Sequence, residues 1–310
     1  MLSTRAAFAL AVTLVLIPGY GSAAIQITGY TDATNDRFTN SPSFIAAPYD
    51  LSGVGQNAGG AWATLISPNV IVSANHARPS GDVFFYAGND PTSTALVRQI
   101  TGVTQRIGNS DLWLARLSSP VDGSIAIYDF ARIPLVGPPA VGNTIFVASA
   151  GVYQNDNGFV FGQSPTPRSG SQSQAVGRNL ISGYAEDVNF LDGKVDTLIL
   201  RFEQPGDPSF VPYEALVQGG DSGAPFFVDE GGTLQLLGIN SFQLQNTASG
   251  AAIGSGINYI GNYQSDVDAF IAASAVAVPE PSVCGLAAAG LATAVWHRRR
   301  HRIARSRVSA

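Results

Sequence analysis

Between residues 25 and 270 the apolar positions fall into short runs, at 61–66, 70–74, 83–86, 112–117, 144–148, 197–202, 225–228 and 234–239, separated by clusters of Gly, Pro, Asn and Ser. Runs of strand length bounded by turn residues predict an antiparallel all-β fold. No run has the length and spacing of an amphipathic helix until the end of the body. There Ser265 offers a cap and Val267, Phe270 and Ile271 share one face, which predicts a short C-terminal helix. Residues 153–180, rich in Gly, Ser, Gln and Asn, read as a long loop or an extended hairpin.

The two ends break this rhythm. Residues 1–24 carry Arg5, an apolar stretch over 6–17, the breaker Pro18-Gly19 and small residues Ser22-Ala23-Ala24, the order of a secretory signal cleaved after Ala23 or Ala24. Residues 278–310 begin Val278-Pro279-Glu280-Pro281, continue through 14 apolar-rich residues at 283–296, and end in Arg298-Arg299-Arg300. That stretch is short against the ~20 residues of a spanning helix, although a basic stop can hold it in a bilayer, transiently or permanently. Pro-Glu-Pro, apolar run and arginine cluster together resemble the PEP-CTERM sorting signal of Gram-negative and related bacteria. The resemblance implies processing by an exosortase after signal peptidase, and association with exopolysaccharide; the alternative is a lasting single anchor. Either way the body, residues 25–277, is expected outside the cytoplasm: in the periplasm, at the cell surface or in the extracellular matrix.

Composition sharpens the picture of that body. The formal charge of −5 is the balance of basic ends and an acidic middle: the body keeps 10 of the 17 Lys and Arg against 21 of the 22 Asp and Glu, about −11. Such a surface lacks the basic patch that nucleic acid requires. The one cysteine, Cys284, lies in the tail, so no disulfide can staple the body. A body of some 250 residues, in a chain that holds 34 Gly and 18 Pro, suits many short strands joined by tight turns.

Candidate chemistry sits in three segments. Gly219-Gly220-Asp221-Ser222-Gly223-Ala224-Pro225 places a hydroxyl on a glycine-flanked turn. There the amides of Gly220 and Ser222 can converge on a substrate oxyanion. A hydroxyl needs a base, and the body has a single histidine, His76, closing the strand-like run at 70–74. An imidazole in turn needs a carboxylate to fix its tautomer. Asp111, at the head of Leu112-Trp113-Leu114-Ala115-Arg116-Leu117, supplies one.

Ser73-Ala74-Asn75-His76-Ala77, Ser110-Asp111-Leu112-Trp113-Leu114 and Gly220-Asp221-Ser222-Gly223-Ala224-Pro225 resemble, in chain order, the histidine, aspartate and serine blocks of chymotrypsin/trypsin-like serine proteases. Leu237-Gly238-Ile239-Asn240-Ser241-Phe242 and Gly256-Ile257-Asn258-Tyr259 are similar to later blocks of that family. The resemblance implies two six-stranded antiparallel β-barrels, catalysis by His76, Asp111 and Ser222, an oxyanion hole at Gly220 and Ser222, and support of Asp111 by Ser241. It also implies a substrate pocket bounded by Leu216, Phe242 and Gln243, a protein or peptide substrate, and no metal or organic cofactor. Leu216 is no acid, which disfavours cleavage after Arg or Lys, and Gln243 crowds the entrance; a small or medium apolar side chain is expected before the cut bond. The chain departs from the family in having Ala77 where a cysteine follows the histidine, and no activation sequence. Ile25, freed by signal cleavage, is a candidate partner for Asp221, and zymogen control stays open.

Two rival functions are weighed. A trypsin-fold binding module would be marked by loss of a triad residue, and none is lost. An α/β-hydrolase esterase needs Gly-X-Ser-X-Gly with its histidine last in the chain; here Ala224 replaces the final glycine and no body histidine follows Ser222.

Overall fold

In the computed structural model, which describes residues 24–135, 157–246 and 248–275, strands dominate. The first sheet comprises β2 (Val54–Asn57), β3 (Trp62–Ser67), β4 (Val70–Ala74), β5 (Asp82–Phe85), β6 (Leu96–Arg106) and β7 (Leu112–Leu117). Its antiparallel order β2-β3-β4-β7-β6-β5 returns on itself as a ring, through the short pairing of Gln56 with Phe84 and Asn57 with Val83. The second sheet is a closed barrel of β8 (Asn157–Gly162), β9 (Ala175–Phe190), β10 (Gly193–Arg201), β12 (Pro225–Glu230), β13 (Thr233–Gln245) and β14 (Ala252–Tyr259). A two-stranded ribbon joins β1 (Gln26–Ile27) to β11 (Ala215–Leu216). The compact unit holding all of these ends at Ser274.

Alternation along the strands explains how both faces are buried. In β7, Trp113, Ala115 and Leu117 join Ile71, Val83 and Phe85 inside the first ring. The intervening Leu112 and Leu114 join Val70, Val72, Phe159, Phe226 and Phe227 in a core shared with the second sheet. With period 2, a strand that carries apolar residues on both faces serves two cores at once. The stretch at 153–180 contains β8 and the start of β9, paired from Asn157–Leu180 to Gly162–Ala175, so of the two readings the hairpin is the one formed. Phe159, Val160 and Phe161 drive it inward. The expected strand at 144–148, all but the last residue of the expected signal segment, and the expected sorting tail lie outside the described residues.

The C-terminal helix, α2 (Gln264–Ser274), buries Val267 and Phe270. Ser265 does not cap it, because a 3-10 turn over Ile260–Tyr263 feeds straight into the first helical turn and leaves Ser265 inside. Its last carbonyl, that of Ser274, accepts from Asn69 Nδ2 at 2.7 Å, which ties the helix end to the turn between β3 and β4. A short helix, α1 (Asp32–Asn35), is capped by the Thr31 hydroxyl.

Just after α1, Arg37 is fully buried and bridges the two sheets. Its guanidinium donates to Val54 O (2.9 Å), Tyr86 O (2.9 Å), Gln174 Oε1 (2.7 Å) and Asn89 Oδ1 (3.0 Å). Burial lowers its pKa to about 10, so it stays charged at neutral pH, held by neutral acceptors. Arg37→Met keeps most of the volume but strands those acceptors in the interior; a loss of about 3–5 kcal/mol is expected. Urea unfolding reads it as a lowered midpoint at constant slope, and an unchanged midpoint would contradict the bridging role.

Candidate active site

Strand pairing builds the first half of the site. Ala74, the last residue of β4, pairs with Leu112, the first of β7. The 3-10 turn Asn75–Ala77 leaves β4 just where Asp111 enters β7. Asn75 N–H donates to Asp111 O at 2.6 Å and His76 N–H donates to Asp111 Oδ1 at 3.0 Å. The other carboxylate oxygen, Oδ2, lies 2.8 Å from His76 Nδ1, at a position 3% exposed for Asp111 as a whole. This fixes the ring so that Nε2 faces away from Asp111.

Ser222 comes to that nitrogen from the second sheet. Its Oγ lies 2.7 Å from His76 Nε2. Gly220 and Gly223 on either side have φ of +97° and +84°, left-handed conformations that a side chain resists. A Cβ on Gly223 would sit 2.6 Å from Ser73 Oγ and 3.0 Å from Ala74 N, so only glycine lets the Ser222 turn press against β4. Trp62 of β3, buried in the core, donates from Nε1 to Gly220 O at 3.2 Å. Gly223 N–H donates to Asn240 O and Asn240 N–H to Ala224 O, both at 2.8 Å, fastening the turn to β13. The amides of Gly220 and Ser222 donate to no acceptor among the described residues.

Between them Asp221 is fully buried. Its oxygens accept from Gln163 N and Gln218 N, each at 2.6 Å. Burial drives its carboxyl pKa well above the ordinary range, against the opposing pull of those two amides. Ile25, also buried, lies on the same side. A Cβ on Gly162 would be 2.6 Å from Ile25 Cβ and 2.7 Å from Asp221 Oδ1, so Ile25 and Asp221 flank one glycine.

The pocket residues behave unequally. Leu216 is buried in β11, paired with Gln26. Phe242 lays its ring over Gly256, where any Cβ would meet it at 2.3 Å. Gln243 reaches from β13 to the segment before Ser222, donating from Nε2 to Val217 O at 2.6 Å and to Gln218 Oε1 at 3.0 Å. Beyond Ile239, β13 keeps β14 as a neighbour but has outrun β12, leaving the edge of Ser241–Gln245 without a partner strand among the described residues. Ser241 departs from its expected role: among the described residues its buried hydroxyl has no hydrogen-bond partner, and it does not bond Asp111. Both Asp111 oxygens already accept from His76.

Residues that sequence reasoning missed include Trp62, Ser73 and Phe190, whose ring meets His76 edge-on at 5.1 Å. No local signal marks Phe190, which ends a polar stretch of β9. Among the described residues no cluster of three His, Cys, Asp or Glu is arranged to hold a metal. No protein-family model matches the chain, and no curated protein matches it. The arrangement presents a hydroxyl on an imidazole, an imidazole on a buried carboxylate and two free amides beside the hydroxyl, the elements of proton transfer coupled to nucleophilic attack.

The segment leading to this turn carries a pH-sensitive group. Glu214 is fully buried, and desolvation raises its pKa to about 7 against the opposing pull of the Val211 and Glu203 amides. A folded-state pKa above the unfolded one means stability complete below pH ~4.5 and lost as pH rises through about 7. Oε2 accepts from Val211 N–H, a bond that the oxygen of a glutamine amide can keep. Glu214→Gln is therefore expected to flatten the fall in stability between pH 5 and 8, restoring up to about 3 kcal/mol at the alkaline end. Thermal melts across that range check it; parallel curves for both proteins would refute it.

Proposed function

We propose that this chain is an exported serine endopeptidase of trypsin-like, two-barrel architecture, working through an acyl-enzyme on Ser222. The observation that carries the reading is the unbroken line from Ser222 Oγ through His76 Nε2 and Nδ1 to Asp111 Oδ2, at 2.7 and 2.8 Å. Ser222 Oγ attacks the scissile carbonyl carbon while His76 Nε2 takes its proton. The imidazolium so formed is stabilised by Asp111 and then protonates the leaving amine. Water, deprotonated by His76, releases the acyl group and restores Ser222. The Gly220 and Ser222 amides receive the oxyanion, a contribution of roughly 3–4 kcal/mol per donor in comparable sites.

The free edge at Ser241–Gln245 suits an extended peptide, which adds as a strand beside Ser222. Gln243 spans the pocket for the residue before the cut bond, which favours a small apolar side chain there. Export rests on residues 1–24, and the tail at 278–310 addresses the enzyme to the cell surface or its polysaccharide matrix. Cleavage after Ala24 turns the Ile25 amide into an ammonium beside Asp221. A buried carboxylate with only amide donors gains most from such a charge.

The mature protein, reading from Ile25 by N-terminal sequencing, is expected to label with a fluorophosphonate at Ser222. Ser222→Ala and His76→Ala should each lower the rate at least ~1000-fold. Failure of the folded mature protein to label would sink the proposal. Gln243→Gly removes the bridge to Val217, and kcat/KM for substrates with leucine or phenylalanine before the cut bond should rise at least ~10-fold relative to alanine. Peptide-library digestion measures the ratio, and an unchanged preference would assign pocket size elsewhere.

A further inference from the structure

Among the described residues, β9 pairs with β8 up to Leu180 and with β10 alone beyond it, and β10 meets β14 from Thr197 onward. The β9–β10 hairpin turns at Leu191 and Asp192. Its tip reaches the first sheet: Lys194 N–H donates to Asn109 O at 2.9 Å, and Asp192 Oδ2 pairs with Arg106 Nη1 at 3.0 Å. A Cβ on Gly193 would stand 2.2 Å from Asn109 O. The tip thus docks on the loop that carries Asp111. At the turn Leu191 adopts φ +51° and is 44% exposed, a strained and apolar posture for a surface leucine.

This docking wedges the Phe190 ring between His76, at 5.1 Å, and Phe242, at 5.3 Å. Phe190 is only 4% exposed and Phe242 only 8%, with Val195 and Leu244 behind them. A peptide lying along the free edge of β13, with one side chain beneath Gln243, turns the preceding side chain to the opposite face, because strand side chains alternate. That face is the corner between His76 and Phe242, already filled by Phe190.

We infer that Phe190 is a specificity-determining residue that restricts the substrate position two residues before the cut bond to glycine or alanine. The inference rests on the proposed peptidase reading. Closing that corner excludes side chains by sterics, so the discrimination lies between small and large residues and not between charges.

Peptide p-nitroanilides with alanine before the cut bond, and glycine, alanine, leucine or phenylalanine preceding it, provide the test on the mature enzyme. The wild type is expected to favour alanine over phenylalanine at the varied position by ~10–200-fold in kcat/KM. Phe190→Ala should shrink that ratio at least tenfold by raising the phenylalanine and leucine substrates, and Phe190→Val carries the same comparison if the alanine variant does not fold. A flat wild-type series, or an unchanged ratio in a folded variant, overturns the inference while fluorophosphonate labelling of Ser222 persists. Loss of labelling and of all hydrolysis in the wild type overturns the underlying peptidase reading instead.

Discussion

The antiparallel pairing of β4 with β7 is the constraint on which the site depends. It brings a strand end and a strand start side by side, so that His76, two residues past Ala74, and Asp111, one residue before Leu112, meet without any long-range adjustment. The backbone N–H groups of Asn75 and His76 then hold the loop, donating to the carbonyl and the carboxylate of Asp111, before the imidazole itself is counted. Because β4 and β7 are apolar on both faces, slipping their register by one residue would turn two cores inside out. The geometry of the imidazole is thus held by the same interactions that hold the fold.

The second sheet contributes the hydroxyl, and it does so at a cost in local strain and desolvation. Two glycines in left-handed conformations and a buried carboxylate stand within one turn, around Ser222. Such features persist only where surrounding contacts over-determine them. Here those contacts come from Trp62 and β4 on one side and from Asn240 on the other.

Much of this was legible in the chain and some was not, for physical reasons. Residues 70–74 and 112–117 announce themselves because they are apolar at all but one position each, and the Gly-Asp-Ser-Gly turn because glycines flank its serine. The pairing of β8 with β9 was half hidden, since Phe159, Val160 and Phe161 sit among Gly and Asn that read equally well as a loop. Strand β6 was missed: it is largely exposed, with Arg, Gln and Thr between its apolar residues, so no burial pattern betrays it. The support expected of Ser241 is not seen: its buried hydroxyl makes no hydrogen bond to Asp111. Phe190 could not have been found at all, as its meeting with His76 arises from docking between residues far apart in sequence.

The contact of Gly223 with Ser73 carries a last consequence. The turn bearing Ser222 and the strand bearing His76 fit each other atom against atom, with Trp62 clasping the same turn through Gly220. Variation at any of these positions is felt at the other two. Over evolutionary time the three should drift together or stay still, so the halves of the molecule are not interchangeable modules but a matched pair, inherited as one.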